Sequence, residues 1–257
     1  MFVLRSIVFK SFIVLLLLVS AGAQELKIAA ASDLSAALQK INPLFEKQTG
    51  IHVSVSLGSS GNFFAQIRSG APFDCFLSAD RDYAEKLEEA GQGEHGTVTL
   101  YARGRLALWT PSSSKLKFSL DNLKTLASSA VKKISIANPE HAPYGRAAMA
   151  ALQHYGIYDQ VKARLVLGEN VSQAAQFAQS GNADVALIAL SLALSDSMKR
   201  SGQYVLLPQE SHRPLDQAGV VLHSSKNKQQ ARRFLQFLMS ADGQKILKEF
   251  GFENPRK

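Results

Sequence analysis

Small polar residues stand at points where an apolar run gives way to a helical pattern, and these residues are the best placed for chemistry. The clearest case is Gly58-Ser59-Ser60-Gly61, which follows the alternating run 53–57 and precedes a helical pattern over residues 63–67. A helix that begins directly after a strand leaves free backbone N–H groups at the positive end of its dipole, here joined by two serine hydroxyls. Such a turn is suited to binding an anion.

A second turn of this kind follows residues 26–31, where Ser32-Asp33 precedes a helical stripe that begins at Leu34. Taken alone, each serine is more simply explained as a helix cap. Two such turns, each offering a serine, favour one small ligand held from two sides by Ser32 and Ser60.

Two further turns follow apolar runs later in the chain. Residues 138–145 carry two prolines that stiffen the backbone before a helix, and residues 168–172 open another helix. Each places free N–H groups at the carboxyl end of a strand, where open α/β sheets bind ligands. In a molecule of two lobes, these two turns would face the turns at Ser32-Asp33 and at residues 58–61.

Strand and helix patterns alternate throughout the chain, which predicts an α/β fold with largely parallel sheets covered on both faces. The strand candidates are residues 26–31, 53–57, 73–78, 106–109, 134–137, 164–167, 184–189, 205–207 and 218–222.

Two polar or Gly/Pro-containing segments, 101–105 and 208–214, interrupt the apolar runs and are the candidate crossings between lobes. If the chain crosses at both, lobe I takes residues 24–103 plus 211–257 and lobe II takes 104–210. The ligand would then lie in the cleft between them.

The first 23 residues match a secretory signal peptide. Arg5 and Lys10 precede an uncharged run, 12–19, that is too short to span a bilayer, and Ala21-Gly22-Ala23 supplies the small residues for cleavage after Ala23. No cysteine stands at this cut for lipid attachment. We therefore expect an exported, unanchored protein in the periplasm.

The chain carries a net charge of +8, which falls to about +6 when Arg5 and Lys10 leave with the signal peptide. A basic balance is compatible with nucleic acid, but export removes that partner, and the basic residues are dispersed along amphipathic helices. We expect no nucleic-acid partner. Positive charge still favours the approach of an anion.

The sequence offers little for catalysis or for a protein-bound metal. Cys75 lies in an apolar run and reads as a packed free thiol, and the six histidines lack the spacing of zinc ligands. A serine–histidine–aspartate arrangement from Ser60 is conceivable, but its turn lacks nucleophile-elbow spacing. We therefore expect a binding protein without a cofactor, with an exported hydrolase as the alternative.

Five motifs in order resemble the periplasmic molybdate-binding proteins of ABC importers, and the resemblance covers essentially the whole mature chain. The motifs are Ala-Ala-Ala-Ser-Asp-Leu (29–34), Gly-Ser-Ser-Gly (58–61), Gly-Ala-Pro-Phe-Asp-Cys-Phe-Leu-Ser-Ala-Asp (70–80), Asn-Pro-Glu-His-Ala-Pro-Tyr-Gly (138–145) and Glu-Asn-Val (169–171). The resemblance implies a type II periplasmic-binding-protein fold with molybdate or tungstate in the interlobe cleft.

Carried over by motif, the resemblance implies ligand contacts from Ser32, Ser60, Tyr144 and Val171, the last two through backbone N–H groups. Molybdenum would enter only as molybdate, through these same residues. The implied partners are a membrane permease and its ATPase, and the implied state is a monomer.

Two positions depart from the family pattern. Many members place a tyrosine hydroxyl on the ion from the strand end that corresponds to residues 188–190, and this chain has none there. A branch of the family instead uses an asparagine directly after the first serine, where this chain has Asp33. Since a carboxylate repels a dianion, we expect Asp33 to turn away, cap its helix and offer at most its backbone N–H.

A deprotonated oxyanion presents only acceptors, so hydroxyl and N–H donors satisfy it without a buried counter-charge. Hydrogen phosphate would need an acceptor in the site, and its unpaired proton would cost about 1–3 kcal/mol. Sulfate has the same charge and shape and differs in size alone. A receptor for sulfate, thiosulfate or another oxyanion is therefore the alternative among binding proteins.

Overall fold

The computed structural model describes residues 25–255, which form two α/β lobes, each built on a five-stranded sheet. The predicted signal peptide, residues 1–23, lies outside the described residues. Within residues 25–255, no helix combines the length and apolar character needed to cross a membrane.

Nine of the strands correspond to the nine strand candidates of the sequence. In chain order the strands are β1 (Glu25–Ala31), β2 (His52–Gly58), β3 (Cys75–Ser78), β4 (Thr99–Gly104), β5 (Leu106–Pro111), β6 (Ile134–Ala137), β7 (Leu165–Gly168), β8 (Val185–Ala189), β9 (Gly202–Leu206) and β10 (Leu215–Val221).

The sheet of lobe I has the order β2-β1-β3-β10-β4, and that of lobe II has the order β7-β6-β8-β5-β9. Three strands of each sheet are joined by parallel pairing, but β10 is antiparallel to both its neighbours and so is β5. The prediction of largely parallel sheets was therefore only half right. β5 and β10 are the first strands after the chain passes between lobes, and they join their sheets without the crossover helix that parallel pairing requires.

Helices follow most of the parallel strands and cover both faces of the sheets. They are α1 (Ser35–Thr49), α2 (Ser60–Arg68), α3 (Arg81–Glu89), α4 (Pro143–His154), α5 (Tyr158–Val161), α6 (Val171–Gln179), α7 (Leu190–Ala193), α8 (Asp196–Ser201), α9 (Lys228–Met239) and α10 (Ala241–Glu249). Short 3₁₀ helices lie at Ser32–Leu34, Leu120–Ala127, Lys162–Arg164 and Gln209–Ser211.

Successive side chains of β1 point to opposite faces of the sheet and pack into two different hydrophobic clusters. Ile28 packs in a cluster with α1 and α9, whereas its neighbour Ala29 packs on the opposite face with Phe63 of α2. Cys75 is a buried free cysteine in the first of these clusters, and burial raises the pKa of its thiol above the usual range. The prediction of a packed thiol is confirmed.

The first passage between lobes differs from the polar connection predicted at residues 101–105. Strand β4 continues to Gly104, β5 begins at Leu106, and Arg105 alone separates them. Despite its polar composition, this segment belongs to a strand. Tyr101 and Ala102 are buried in lobe I, and β4 pairs with β10.

Candidate functional site

A small cavity lies between the lobes, at the point where strands of both sheets end. Its volume is about 10 Å³, which is room for about one small group. Its lining consists of Ala31, Ser32, Asp33, Gly58, Ser59, Ser60, Ala79, Ala142, Pro143, Tyr144 and Val171. The structure therefore brings together all five residues that the sequence singled out.

Three helices begin at this cavity. Ser60 is the first residue of α2, Val171 is the first of α6, and Tyr144 is the second of α4. Backbone N–H groups in the first turn of a helix have no acceptor within that helix, so these positions offer donors and a positive dipole end. Among the described residues that line the cavity, none is a lysine, arginine or histidine.

The two serines of the Gly58–Gly61 turn have different tasks. Ser59 is the N-cap of α2, and its Oγ accepts a hydrogen bond from the N–H of Asn62 at 3.4 Å. The hydroxyl of Ser60 is fully buried and accepts a hydrogen bond from the N–H of Ala79 at 3.0 Å. The Ser60 proton is thereby left for another acceptor. Sequence reasoning missed Ala79, which acts through its backbone.

Ser32 connects the two lobes directly. Its Oγ donates to Oδ1 of Asn170 at 3.1 Å and accepts from the N–H of Ser172 at 3.3 Å, while the Ser172 hydroxyl donates to the Ser32 carbonyl at 3.0 Å. Asn170 is also the N-cap of α6, accepting from the N–H of Gln173 at 3.1 Å. The first and fourth turns are therefore one hydrogen-bonded unit in this closed arrangement.

Asp33 does not cap a helix, contrary to the prediction. Its side chain is fully buried, and one carboxylate oxygen, Oδ2, accepts a hydrogen bond from Nε2 of Gln217 on β10. The other oxygen, Oδ1, has no hydrogen-bond partner among the described residues. The sequence could not show this, because the partner lies in a strand far along the chain.

Burial raises the pKa of Asp33 to about 7, although hydrogen bonds from Gln217 and Tyr144 work in the opposite direction. The pKa of Tyr144 is raised well above its usual value by burial and by the negative charge of Asp33. The pKa of Tyr101 is raised in the same way. Both tyrosines are therefore neutral hydroxyl groups at physiological pH.

Gly104 leaves the space that the Tyr144 hydroxyl and the Gln217 amide occupy. A Cβ at residue 104 would lie 2.1 Å from the Tyr144 hydroxyl and 2.9 Å from Nε2 of Gln217. Only glycine allows the crossing strand to approach so closely.

The strand end at residues 188–190, where the family resemblance implies a tyrosine, is followed by a different polar contact in this protein. Ser191, the second residue of α7, donates its hydroxyl to the carbonyl of Asp33 at 2.7 Å. This segment of lobe II therefore holds the backbone of the first turn, and it contributes no residue to the cavity lining.

The second and third turns also meet across the cleft. The N–H of Gly61 donates to the carbonyl of His141 at 2.8 Å, and Nδ1 of His141 lies 2.9 Å from Oγ of Ser59. Nε2 of His141 lies 3.9 Å from a carboxylate oxygen of Glu169, which is beyond hydrogen-bond distance. Among the described residues, Glu169 is thus too far from the imidazole to orient it as the third member of a catalytic triad.

Arg146 of α4 forms a further bridge between the lobes. Its guanidinium donates to Asp80 at 2.6 Å and to the Tyr83 hydroxyl at 3.2 Å, both in lobe I. A larger cleft of about 930 Å³ opens beside this bridge. Acidic and basic side chains line this larger cleft alike, whereas hydroxyl groups and helix N-termini dominate the lining of the small cavity.

The described residues contain no cluster of three or more His, Cys, Asp or Glu side chains that could hold a metal cation. The cavity instead offers hydroxyl and backbone N–H donors. Such a lining suits a small oxyanion, which accepts hydrogen bonds from every direction.

Comparison with known proteins agrees with this geometry. Residues 26–253 match the family model described as bacterial extracellular solute-binding protein. The chain is 36% identical over 237 residues to the molybdate-binding protein ModA of Azotobacter vinelandii, covering 92% of this chain and 93% of that protein. It is 33% identical to the molybdate-binding protein ModA of Rhodobacter capsulatus over 90% of this chain and 89% of that protein.

Solved structures give the same result. The periplasmic molybdate-binding protein of Azotobacter vinelandii superposes with a TM-score of 0.84 at 34% identity, covering 90% of this chain and 100% of that chain. The sulfate-binding protein SubI of Mycobacterium tuberculosis superposes with a TM-score of 0.75 at 14% identity, covering 89% and 86%, which shows the fold alone. The chain therefore belongs to the bacterial extracellular solute-binding proteins and, within that family, to the group of the molybdate-binding proteins.

Proposed function

We propose that this protein captures molybdate or tungstate in the cavity between its lobes and delivers the ion to the permease of an ABC importer. The observation that carries the proposal is the convergence of Ser32, Ser60, Tyr144 and Val171, at the starts of helices, on one cavity without a basic side chain. The names of the relatives support the choice of ion.

Within this site, we assign the hydroxyls of Ser32 and Ser60 and the backbone N–H groups of Tyr144 and Val171 as the donors to the oxyanion. Ser32 reaches the ion by exchanging its bond to Asn170 for one to an oxyanion oxygen. Charge-assisted bonds of this kind are stronger than neutral ones. Molybdenum is held only through its oxygens.

Calorimetric competition tests the choice of ligand. We expect molybdate and tungstate to bind one ion per protein, and sulfate and phosphate to bind far more weakly, because sulfate is smaller and hydrogen phosphate carries a proton. Parallel titrations with the four ions, at equal ionic strength, measure this order. Sulfate binding as tight as molybdate binding would favour the alternative, a receptor for sulfate or thiosulfate.

The lobe division proposed from the sequence, 24–103 plus 211–257 against 104–210, defines a hinge model. The structure changes sheet between Gly104 and Leu106 and again between Leu206 and Leu215, which supports hinges near these points. Since the donor turns come from both lobes, we propose that the ion draws the lobes together.

Solution scattering with and without molybdate tests this closure. We expect a smaller radius of gyration in the complex, because closure expels water and brings lobe I turns onto lobe II turns. Equal radii, with binding confirmed by calorimetry, would mean that the site is preformed or lies within one lobe.

The same assignment bears on the oligomeric state, the location and the partners of the protein. We propose that the protein works as a monomer in the periplasm, that its signal peptide ends at Ala23, and that its partner is a permease with an ATPase. It performs no catalysis in this scheme. Absence of ester hydrolysis by the purified protein is the corresponding check on the hydrolase alternative.

A further inference from the structure

Asp33 is an acidic side chain in a cavity that otherwise presents donors. Its carboxyl group is fully buried, the residue lines the cavity, and Oδ1 has no partner among the described residues. An ionised carboxylate in this position would face a dianion without any counter-charge, which is a costly arrangement in a buried site.

The hydrogen bonds around Asp33 assign different roles to its two oxygens. The Tyr101 hydroxyl donates to Oε1 of Gln217 at 3.0 Å, which leaves Nε2 of Gln217 as the donor that faces Asp33. Oδ2 of Asp33 accepts from Nε2. With the Tyr144 hydroxyl also beside the carboxyl group, this network holds Oδ2 as an acceptor, and Oδ1, which has no partner among the described residues, is the atom that can carry a proton.

Charged groups on the surrounding elements are engaged elsewhere. At the first crossing between the lobes, Arg103 pairs with Asp216 at 2.5 Å and Arg105 pairs with Glu253 at 2.5 Å. On α4, Arg146 pairs with Asp80 at 2.6 Å.

Among the described residues, the tyrosines Tyr101 and Tyr144 interact with Asp33 and are neutral, and His141 contacts Ser59 of the cavity lining.

We propose that Asp33 enters the complex as a neutral carboxylic acid whose Oδ1–H donates a hydrogen bond to the oxyanion, so that binding of the dianion takes up one proton from solvent. This inference rests on the proposed function and adds a specificity residue to it. Neutral Asp33 also meets the proton of hydrogen phosphate with a donor, Oδ1–H, instead of a carboxylate acceptor.

The sign of the pH dependence follows from this assignment. Burial already raises the pKa of Asp33 to about 7, and a dianion beside it raises the pKa further. Below pH 7 the acid is largely formed before the ion arrives. Above that value a proton must be taken up on binding, so affinity falls by about tenfold for each further pH unit.

Calorimetric titration with molybdate between pH 6 and 9.5, in two buffers of different ionisation enthalpy, tests the proposal. For the wild-type chain we expect uptake to approach one proton per ion above pH 8, with the tenfold loss of affinity per pH unit. For Asp33→Asn we expect no uptake and an affinity that stays constant with pH. The asparagine amide supplies the same donor without a titrating proton, while its oxygen still accepts from Gln217.

Two control variants separate Asp33 from other titrating or acidic groups. Asp159→Asn removes an exposed carboxylate from the surface of lobe II, and His141→Gln removes the imidazole near the cavity. Both should keep the proton uptake of the wild-type chain. Loss of the uptake in His141→Gln, with retention in Asp33→Asn, would overturn the proposal.

Molybdate binding to the wild-type chain with constant affinity and no proton uptake above pH 8 would overturn the coupling alone. Failure of the wild-type chain to bind molybdate at every pH would overturn the proposed function, and the coupling with it.

Discussion

Replacing Gly61 with alanine should prevent the lobes from closing on the ion while leaving each lobe folded. A Cβ at this position would lie 2.5 Å from the carbonyl oxygen and 2.9 Å from the Cα of His141, which belongs to the opposite lobe. These are backbone atoms, so no side-chain rotation relieves the clash. The closed state also loses the good geometry of the Gly61–His141 hydrogen bond.

Overpacking and a lost hydrogen bond together cost the closed state about 2–4 kcal/mol, which corresponds to a roughly 30- to 1000-fold loss of molybdate affinity. Calorimetry measures this loss. Thermal unfolding of the ligand-free protein is the control, and its midpoint should hold or rise, because alanine favours a helix more than glycine does.

Wild-type affinity in the Gly61→Ala variant would show that the ion binds without the contact between residues 61 and 141. A variant that unfolds at a much lower temperature would show instead that the contact supports the fold itself.

The four turns were predictable from the sequence because their signals are local. Each combines an apolar run, a small or capping residue and a helical pattern, and parallel strands bring their carboxyl ends to one edge of a sheet. Ser32, Ser60, Tyr144 and Val171 therefore meet at one cavity, even though as many as 139 residues separate them in sequence.

The features that the sequence concealed all depend on contacts between distant elements. Gln217 gives no signal in its own strand, yet it determines the orientation of the Asp33 carboxyl. The composition of residues 101–105 predicts a connection, because Arg103, Gly104 and Arg105 mask the buried, paired backbone of β4. Local propensity is a weak guide where tertiary pairing decides.

The tyrosine that the family resemblance implies near residues 188–190 illustrates the same limit. The sequence shows its absence at residues 188–190, but only the structure shows Ser191 holding the Asp33 carbonyl and Tyr144 placing a hydroxyl beside Asp33 and Gln217. The polar groups of the site therefore come from segments other than residues 188–190.

Replacing Ser60 with alanine should weaken molybdate binding by about 1–3 kcal/mol, or roughly 5- to 150-fold, because a buried hydroxyl donor is lost. The structure adds a second cost that the turn motif alone does not show. Alanine leaves the N–H of Ala79 without its acceptor, so the ligand-free protein should also unfold at a lower temperature.

Ser59→Ala is the matched control for this measurement. Ser59 is the actual N-cap of α2, and its loss should cost about 1 kcal/mol of stability. Its loss also removes a contact with His141, but it does not remove the hydroxyl that we assign to the ion. Affinity should therefore fall clearly more in Ser60→Ala than in Ser59→Ala, while both variants lose stability. Equal affinities in the two variants would mean that Ser60 serves the fold through Ala79 and that backbone N–H groups alone hold the ion on this side of the cavity.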